Sequence, residues 1–357
     1  MATEKKKVVV VGGGIAGSAI AYGLQNDADV TLVDPKDYFE VAYAQLRSCV
    51  EPTFAERSLI LHADYLKKGK VLSASAVSAT ESELTTDTGE VLPFDFLVIT
   101  TGTTFSGPKT KVERIKEFEA NKKKIVDSES LLIIGGGPVG VELAGEICQD
   151  FPKKKVTLVH SGSRLIEFLG PKASEKAQKW LKNKGAEVIL NDRVETEELT
   201  PPTYATKSGK VITANAHFVA IGKKLGSGWI EASPALKEKL NDEGRLQVGQ
   251  TLQVAGLTNV FAAGDITDFK EIKQGFLAGK HAAAVVSNIK KLIKNPDEKK
   301  LNTYKPLEKP FGLVSLGRQD AVAQLPFATI GGWLPGKLKS KDLFVGQTRA
   351  SLGLKQK

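Results

Sequence analysis

Three glycines at G-x-G-x-x-G spacing, Gly12, Gly14 and Gly17, follow the apolar run of residues 8–11 and open a helical stretch. Gly12 permits the tight turn, Gly14 lets backbone approach a pyrophosphate, and Gly17 lets the helix pack closely on the strand. The N-terminal amides of that helix, and the positive end of its dipole, then face the phosphates. A second strand, DVTLVD, ends at Asp34, where a carboxylate accepts hydrogen bonds from a ribose hydroxyl. Glycine triplets alone are common in turns; strand, glycines, helix, strand and terminal acid in register specify a dinucleotide site. The pattern recurs in LLIIGGGPVGVELAGEI, with Gly135, Gly137 and Gly140 behind the apolar residues 131–134. FLVITTG, ending at Gly102, and HFVAIG, ending at Gly222, close the two units. An enzyme needs two such units when one holds a resident flavin dinucleotide and the other takes a diffusing nicotinamide dinucleotide.

Two further positions bear on cofactor choice. LTNVFAAGDIT delivers Gly264 and Asp265 to the end of a buried strand, where Asp265 meets ribityl hydroxyls or a phosphate, or simply caps the next helix. That helix, expected over about 271–292, aims its N-terminus at the pyrimidine edge of a flavin. In the second unit the strand KVTLVH ends at His160 rather than at a carboxylate, followed by Ser161, Ser163 and Arg164. Nothing there repels a 2′-phosphate, and Arg164 can pair with one unless it is an ordinary surface residue. Both NADH and NADPH are therefore expected as co-substrates.

These positions imply an α/β architecture of two Rossmann-like domains of the disulfide-reductase type. Residues 1–112 and 242–302 are assigned to a discontinuous FAD-binding domain, 113–241 to an NAD(P)H-binding domain, and 303–357 to a small C-terminal segment. Within the first domain, DPKDYFEVAYAQLRSCVEP reads as a loop and short helix placed to run past the isoalloxazine ring, and 70–100 as a β-meander turning at Thr88-Gly89 and feeding a buried strand. Residues 106–125 read as a polar crossover. The 357-residue length and 41 % hydrophobic content suit a globular protein with more than one core. Two cysteines, Cys49 and Cys148, make no disulfide framework, so a reducing compartment is expected. MATEKKK carries no apolar signal core, Ala2 excludes N-myristoylation, and no 18-residue apolar run occurs. The net charge of +9 comes from scattered lysine runs without interleaved aromatics. Those are read as solvated edges, which disfavours nucleic acid; attraction to an anionic membrane surface is the alternative.

Together, VVVVGGGIAG, LVITTG, LLIIGGGPVGVELAGEI and NVFAAGDIT resemble the two-dinucleotide-domain flavoprotein reductases. VTLVHSGSRL, FLAGKHAA, YKPLEKPFGLVSLGRQDAVAQ and LKSKDLFV extend the likeness to the ferroptosis suppressor protein (apoptosis-inducing-factor-like, mitochondrion-associated) family. The chain is also similar to single-subunit type II NADH dehydrogenases. The resemblance implies FAD, with or without modification of its ring, NADH or NADPH as co-substrate, and reduction of ubiquinone-like lipophilic quinones to quinols. It implies that Asp34 is the FAD-ribose acid, Asp265 a flavin contact and His160 part of the nucleotide edge. It puts Glu142 near the nicotinamide, although a plain first-turn acid on the helix dipole is the alternative. Phe276 matches an aromatic beside the quinone path, otherwise a core residue. Lys339 matches a lysine of the flavin neighbourhood, and Phe344 an aromatic of the same segment; in a basic tail a lysine is otherwise solvated. Vertebrate members carry a myristoylation glycine where Ala2 stands.

No C-x-x-C or C-x-x-x-x-C exists to carry electrons to a disulfide, and Cys49 reads as a small buried residue. A thiol- or peroxide-linked reductase through Cys49 is one rival; a redox-sensing interaction protein like an apoptosis-inducing factor is another. None of His62, His217 and His281 has a partner at metal-ligand spacing, so no metal is expected. The residues Phe311, Leu313, Val314, Leu316, Phe327, Ile330, Trp333, Leu334 and Leu338 are a candidate wall for an apolar quinone tunnel. Trp333 and Leu334 with the tail's lysines suit reversible docking on lipid, a packed subdomain being the alternative. A cytoplasmic location follows, free or peripheral at a mitochondrial or lipid-droplet surface, as a monomer or homodimer.

Overall fold

The computed structural model describes residues 4–197 and 199–356; Ala2 lies outside them. Its first sheet is all parallel, in the order Val260–Ala262, Phe96–Ile99, Lys7–Val11, Asp29–Val33, Lys70–Leu72. Residues 8–11 are buried in succession because helices or loops cover both faces, which is why they read as an unbroken apolar run. The helix Ile15–Leu24 makes the first crossover. A Cβ on Gly17 would lie deep inside contact distance of the Gly12 carbonyl oxygen, so only glycine lets this helix sit so close. Helix Gly275–Lys294 lies against it, burying Leu277, Ala278, Ala282, Val285 and Ile289 at helical spacing.

The second sheet is also parallel, ordered Glu187–Ile189, Lys155–Val159, Ser130–Ile134, Ala216–Val219. Helix Pro138–Asp150 repeats the first motif's geometry, with Gly140 pressed on the Gly135 carbonyl. The polar crossover expected over 106–125 takes the form of a 17-residue helix, Lys111–Asp127. Thr110 caps it, accepting from the Glu113 amide at 3.2 Å, and Arg114, Phe118 and Ile125 bury its inner face. The helix expected from 271 begins only at Gly275. Glu271 is withheld from it because its carboxylate is fully buried among His281, Tyr304 and the Leu307 amide.

The tail is split between the two cores. Its antiparallel strands Gly312–Leu316, Asp320–Gln324 and Thr329–Gly332 cover helices 138–150 and 171–183. Val314, Leu316 and Val322 join the second core, whereas Leu343, Val345 and Leu352, around helix Val345–Ser351, join the first. The candidate tunnel wall is therefore corrected. Val314 and Leu316 pack inward, while Phe327, Trp333, Leu334 and Leu338 project to solvent, Phe327 being 91 % exposed. No helix among the described residues is long and apolar enough to cross a membrane.

Candidate functional site

The first glycine turn opens on a cavity of about 540 Å³ whose walls include Gly12, Gly14, Asp34, Gly102, Gly264, Asp265 and Gly275. Gly12 adopts φ +97°, and a Cβ there would stand 2.7 Å from the Thr100 carbonyl oxygen. A Cβ on Gly14 would meet nothing within 4 Å, so that edge of the turn is bare backbone facing the cavity. Asp34, buried at the end of its strand, accepts from the Gly13 amide and, at 2.7 Å, from the Lys36 amide. Beneath Gly13 lies the His62 ring, whose Nδ1 is 2.7 Å from the Tyr65 hydroxyl. Burial holds that imidazole down at about 4, so it is neutral.

Asp265 sits just past the strand Val260–Ala262, on a turn that Gly264 enters at φ +81°. The Gly264 amide donates to Nδ1 of His281 at 3.1 Å, and His281 Nε2 lies 3.0 Å from Glu271. Arg245 donates to the Asp265 carbonyl. Burial raises the Asp265 carboxyl above the usual carboxylate range.

A second cavity, about 390 Å³, lies over the other glycine turn and is lined by Gly135, Gly137, His160, Ser161, Asp192, Arg193 and Gly222. His160 Nδ1 accepts from the Gly136 amide at 3.2 Å, the task Asp34 performs for Gly13 in the first unit. An uncharged acceptor thus replaces the acid without losing the turn. The Asp192 carboxylate is already engaged by Ser208 Oγ at 2.7 Å and the Arg193 amide at 2.8 Å, and these bonds hold it below the usual range. Arg164 is not brought to this cavity. Its guanidinium closes its own loop on the Leu169 and Glu167 carbonyls, at 2.6 and 2.7 Å. Arg193 takes the lining position instead; its only signal in the sequence is its place after the strand 187–189.

The remaining candidates meet where the tail crosses between the domains. Lys339 is 5 % exposed, far from a solvated tail lysine. Its Nζ pairs with Glu142 Oε1 and donates to the Leu313 carbonyl at 2.8 Å, while Glu142 also accepts from the Ser315 amide at 2.8 Å. Glu142 is consequently more than a first-turn acid, because it joins helix 138–150 to two segments of the tail. Leu343 and Phe344 both occupy the left-handed region, at φ 49° and 59°, a conformation that costs bulky residues of the order of 1–3 kcal/mol each. The strained turn presents the Phe344 ring edge-on to Tyr43, centroids 5.5 Å apart. Phe276, half exposed, packs against Phe311 at 5.9 Å with Lys280 over its ring. Tyr43 lies in the loop-and-helix segment 34–52, but the sequence did not single it out and the fold does.

Cys49 is packed in the second core and burial pushes its thiol to about 12; Cys148 is likewise held at about 11. Among the described residues no three His, Cys, Asp or Glu side chains converge as metal ligands would.

The sequence model of the pyridine nucleotide-disulphide oxidoreductase family matches residues 6–284. Apoptosis-inducing factor homolog B of Dictyostelium discoideum is 32 % identical, over 97 % of this chain and 96 % of its own. Ferroptosis suppressor protein 1 of Mus musculus is 35 % identical, over 95 % and 93 %. Among solved structures, the sulfide:quinone oxidoreductase of Aquifex aeolicus superposes with a TM-score of 0.76 at 20 % identity, covering 98 % of this chain and 92 % of that one.

Proposed function

The chain belongs to the pyridine nucleotide-disulphide oxidoreductase family, and on that premise we propose that it oxidises NAD(P)H and reduces a lipophilic quinone to the quinol. It is an NAD(P)H-dependent flavoprotein oxidoreductase, and FAD is its resident cofactor. The residues of the first cavity fit that group. A bare glycine edge suits a pyrophosphate, a buried acid at the strand end suits a ribose, and Asp265 with the helix beginning at Gly275 suits the far end. When bound there, FAD would supply the two-electron redox chemistry that links NAD(P)H to the acceptor.

The residues of this chain bind, orient and insulate. Gly135, Gly137 and Gly140 shape the turn for the dinucleotide, with Gly222 at its edge and His160 bracing it. Arg193 in the lining can pair with a 2′-phosphate, whereas the ionised Asp192 beside it opposes one, so we infer use of both NADH and NADPH from Arg193 and from His160 standing where an acid would select NADH; a thousandfold preference for NADH in kcat/KM would oppose that. The Glu142–Lys339 pair carries a buried charge of each sign at the junction of both domains and the tail. Placed there, Glu142 orients the carboxamide end of the nucleotide, and Lys339 lends positive charge to the flavin neighbourhood. Phe276 and Phe344 supply apolar faces for a planar acceptor.

The single observation that carries a quinone rather than a thiol acceptor is chemical. Phe276, next to Gly275 of the first cavity's wall, is half exposed and packs on Phe311, and both cysteines are buried with thiols that hold their protons. The exposed Trp333, Leu334 and Leu338, with Lys337 stacked on Trp333 at 4.7 Å, are the surface by which the protein reaches membrane-dissolved quinone. Stopped-flow reduction by NADH or NADPH, followed by mixing with short-chain ubiquinone, peroxide or a disulfide, tests the assignment. Rapid reoxidation by quinone alone is expected; preferential reoxidation by disulfide or peroxide would overturn it.

A further inference from the structure

Tyr43 stands where three parts of the chain converge on the first cavity. Its hydroxyl fits against the Cα of Gly275, where any Cβ would collide with it and with Ile15. Gly275, Ile15 and Ala42 all line that cavity. Its ring meets Phe344 edge-on, and the Lys339 ammonium lies 5.5 Å from the ring centroid. Among the described residues no acceptor takes the phenolic proton, which leaves the hydroxyl free to donate beside Phe344, an aromatic face assigned above to the acceptor. Burial, and then the charge of Glu142, push the phenol to about 12, so it keeps its proton at neutral pH.

We propose that Tyr43 is a further catalytic residue, the proton donor to the quinone oxygen in the second half-reaction. The inference rests on the quinone assignment. NAD(P)H supplies a hydride, two electrons and one proton, which reach the quinone through FAD. The second proton leaves Tyr43 as its O–H bond breaks and an O–H bond forms on the quinone oxygen. The tyrosinate regains a proton from solvent. The match is chemically sound because a quinol is itself a phenol, so donor and product have similar acidity, the condition under which general-acid transfer is efficient. It also accounts for Gly275, whose missing side chain is what lets the hydroxyl reach the cavity wall.

The test is Tyr43→Phe in the FAD-loaded protein. Flavin reduction by NADH and reoxidation by ferricyanide, which takes electrons without protons, stay near wild type. Reoxidation by a short-chain ubiquinone slows about 100-fold, the lower range for loss of a general acid. In D2O the wild-type quinone step slows and the Y43F step does not. Calorimetric binding of the same quinone to the oxidised protein weakens about fivefold, from one lost hydrogen bond of ~1 kcal/mol. Wild-type reoxidation rates in Y43F overturn the role of Tyr43 alone. A wild-type enzyme that quinone does not reoxidise overturns the quinone assignment with it. Should Y43F lose FAD, Tyr43→Gln, which keeps a donor, must also lose the quinone step without losing ferricyanide reduction if a weak acid is required; retained quinone turnover refutes it.

Discussion

Arg47 is the clearest place to test the energetics of the junction beside Lys339. Its Nη2 is 2.7 Å from Glu146 Oε1 and its Nε 3.1 Å from Oε2, and Nη1 donates to the Ser340 carbonyl at 2.6 Å. Both side chains of the pair are 2 % exposed, so solvent screening does not discount it. Arg47→Met leaves Glu146 buried with only Arg318, 3.7 Å away and already committed to Asp150 and Glu51. Breaking a buried pair costs ~3–5 kcal/mol. The chain can cap that cost by protonating Glu146, at ~1.36 kcal/mol for each unit separating the pH from its ordinary value of 4.5. The cap is therefore about 5 kcal/mol at pH 8 and about 2 kcal/mol at pH 6. The sign follows from the direction of the shift. Burial, the largest influence, already raises the Glu146 carboxyl in the folded protein, and losing Arg47 raises it further. A raised carboxyl contributes stability below its ordinary value and loses it as the pH climbs through the folded value. The R47M defect should thus grow from pH 6 to pH 8, by up to ~3 kcal/mol. Urea-unfolding midpoints at the two pH values, with FAD occupancy held equal, measure it. Arg47→Met/Glu146→Gln should recover most of the loss and remove its pH dependence. A defect under ~1 kcal/mol, or one equal at both pH values, refutes the reasoning.

Other expectations are more local. Gly140→Ala forces a side chain into the Gly135 carbonyl and should destabilise the second domain, whereas Gly137→Ala meets nothing and should fold normally yet bind NADH at least tenfold more weakly by calorimetry. Cys49, with its thiol held at about 12, should resist iodoacetamide at pH 8 in the folded protein, and Cys49→Ala should keep quinone turnover. Replacing Trp333 and Leu338 by serine should abolish flotation with anionic liposomes while leaving ferricyanide reduction intact; flotation indifferent to salt, anionic lipid and these substitutions would exclude the docking face.

The two parallel sheets were legible because buried strands and glycine turns are local signals. Val8 to Val11 and Leu131 to Ile134 are contiguous in sequence as in space, and a glycine that must touch a strand is written at fixed spacing. The junction was not legible because its members are paired across the chain. Lys339 and Glu142 are 197 residues apart, so a tail lysine reads as solvated until folding buries it. Tyr43 carries no spacing rule, and Gly275 explains it only once their contact is seen. Arg164 and Arg193 show the same difficulty on a smaller scale. Proximity to the strand end favoured Arg164, but a loop that folds back supplies carbonyl partners for its guanidinium, and the next strand's end brings Arg193 to the cavity. The helix expected from Glu271 starts only at Gly275, because three buried partners hold Glu271 out of the helical register.

The helix Val345–Ser351 rests on a core whose other members were made hundreds of residues earlier, with Leu343 and Leu352 among Ile20, Leu24 and their neighbours. On the ribosome, the amino-terminal unit must therefore wait, its hydrophobic flank open, until residues 343–352 have emerged. Gly353, which abuts Tyr22, belongs to the same late closure. Nascent chains stalled before position 343 should consequently be the species that chaperones retain and proteases find, however well formed the glycine turns already are.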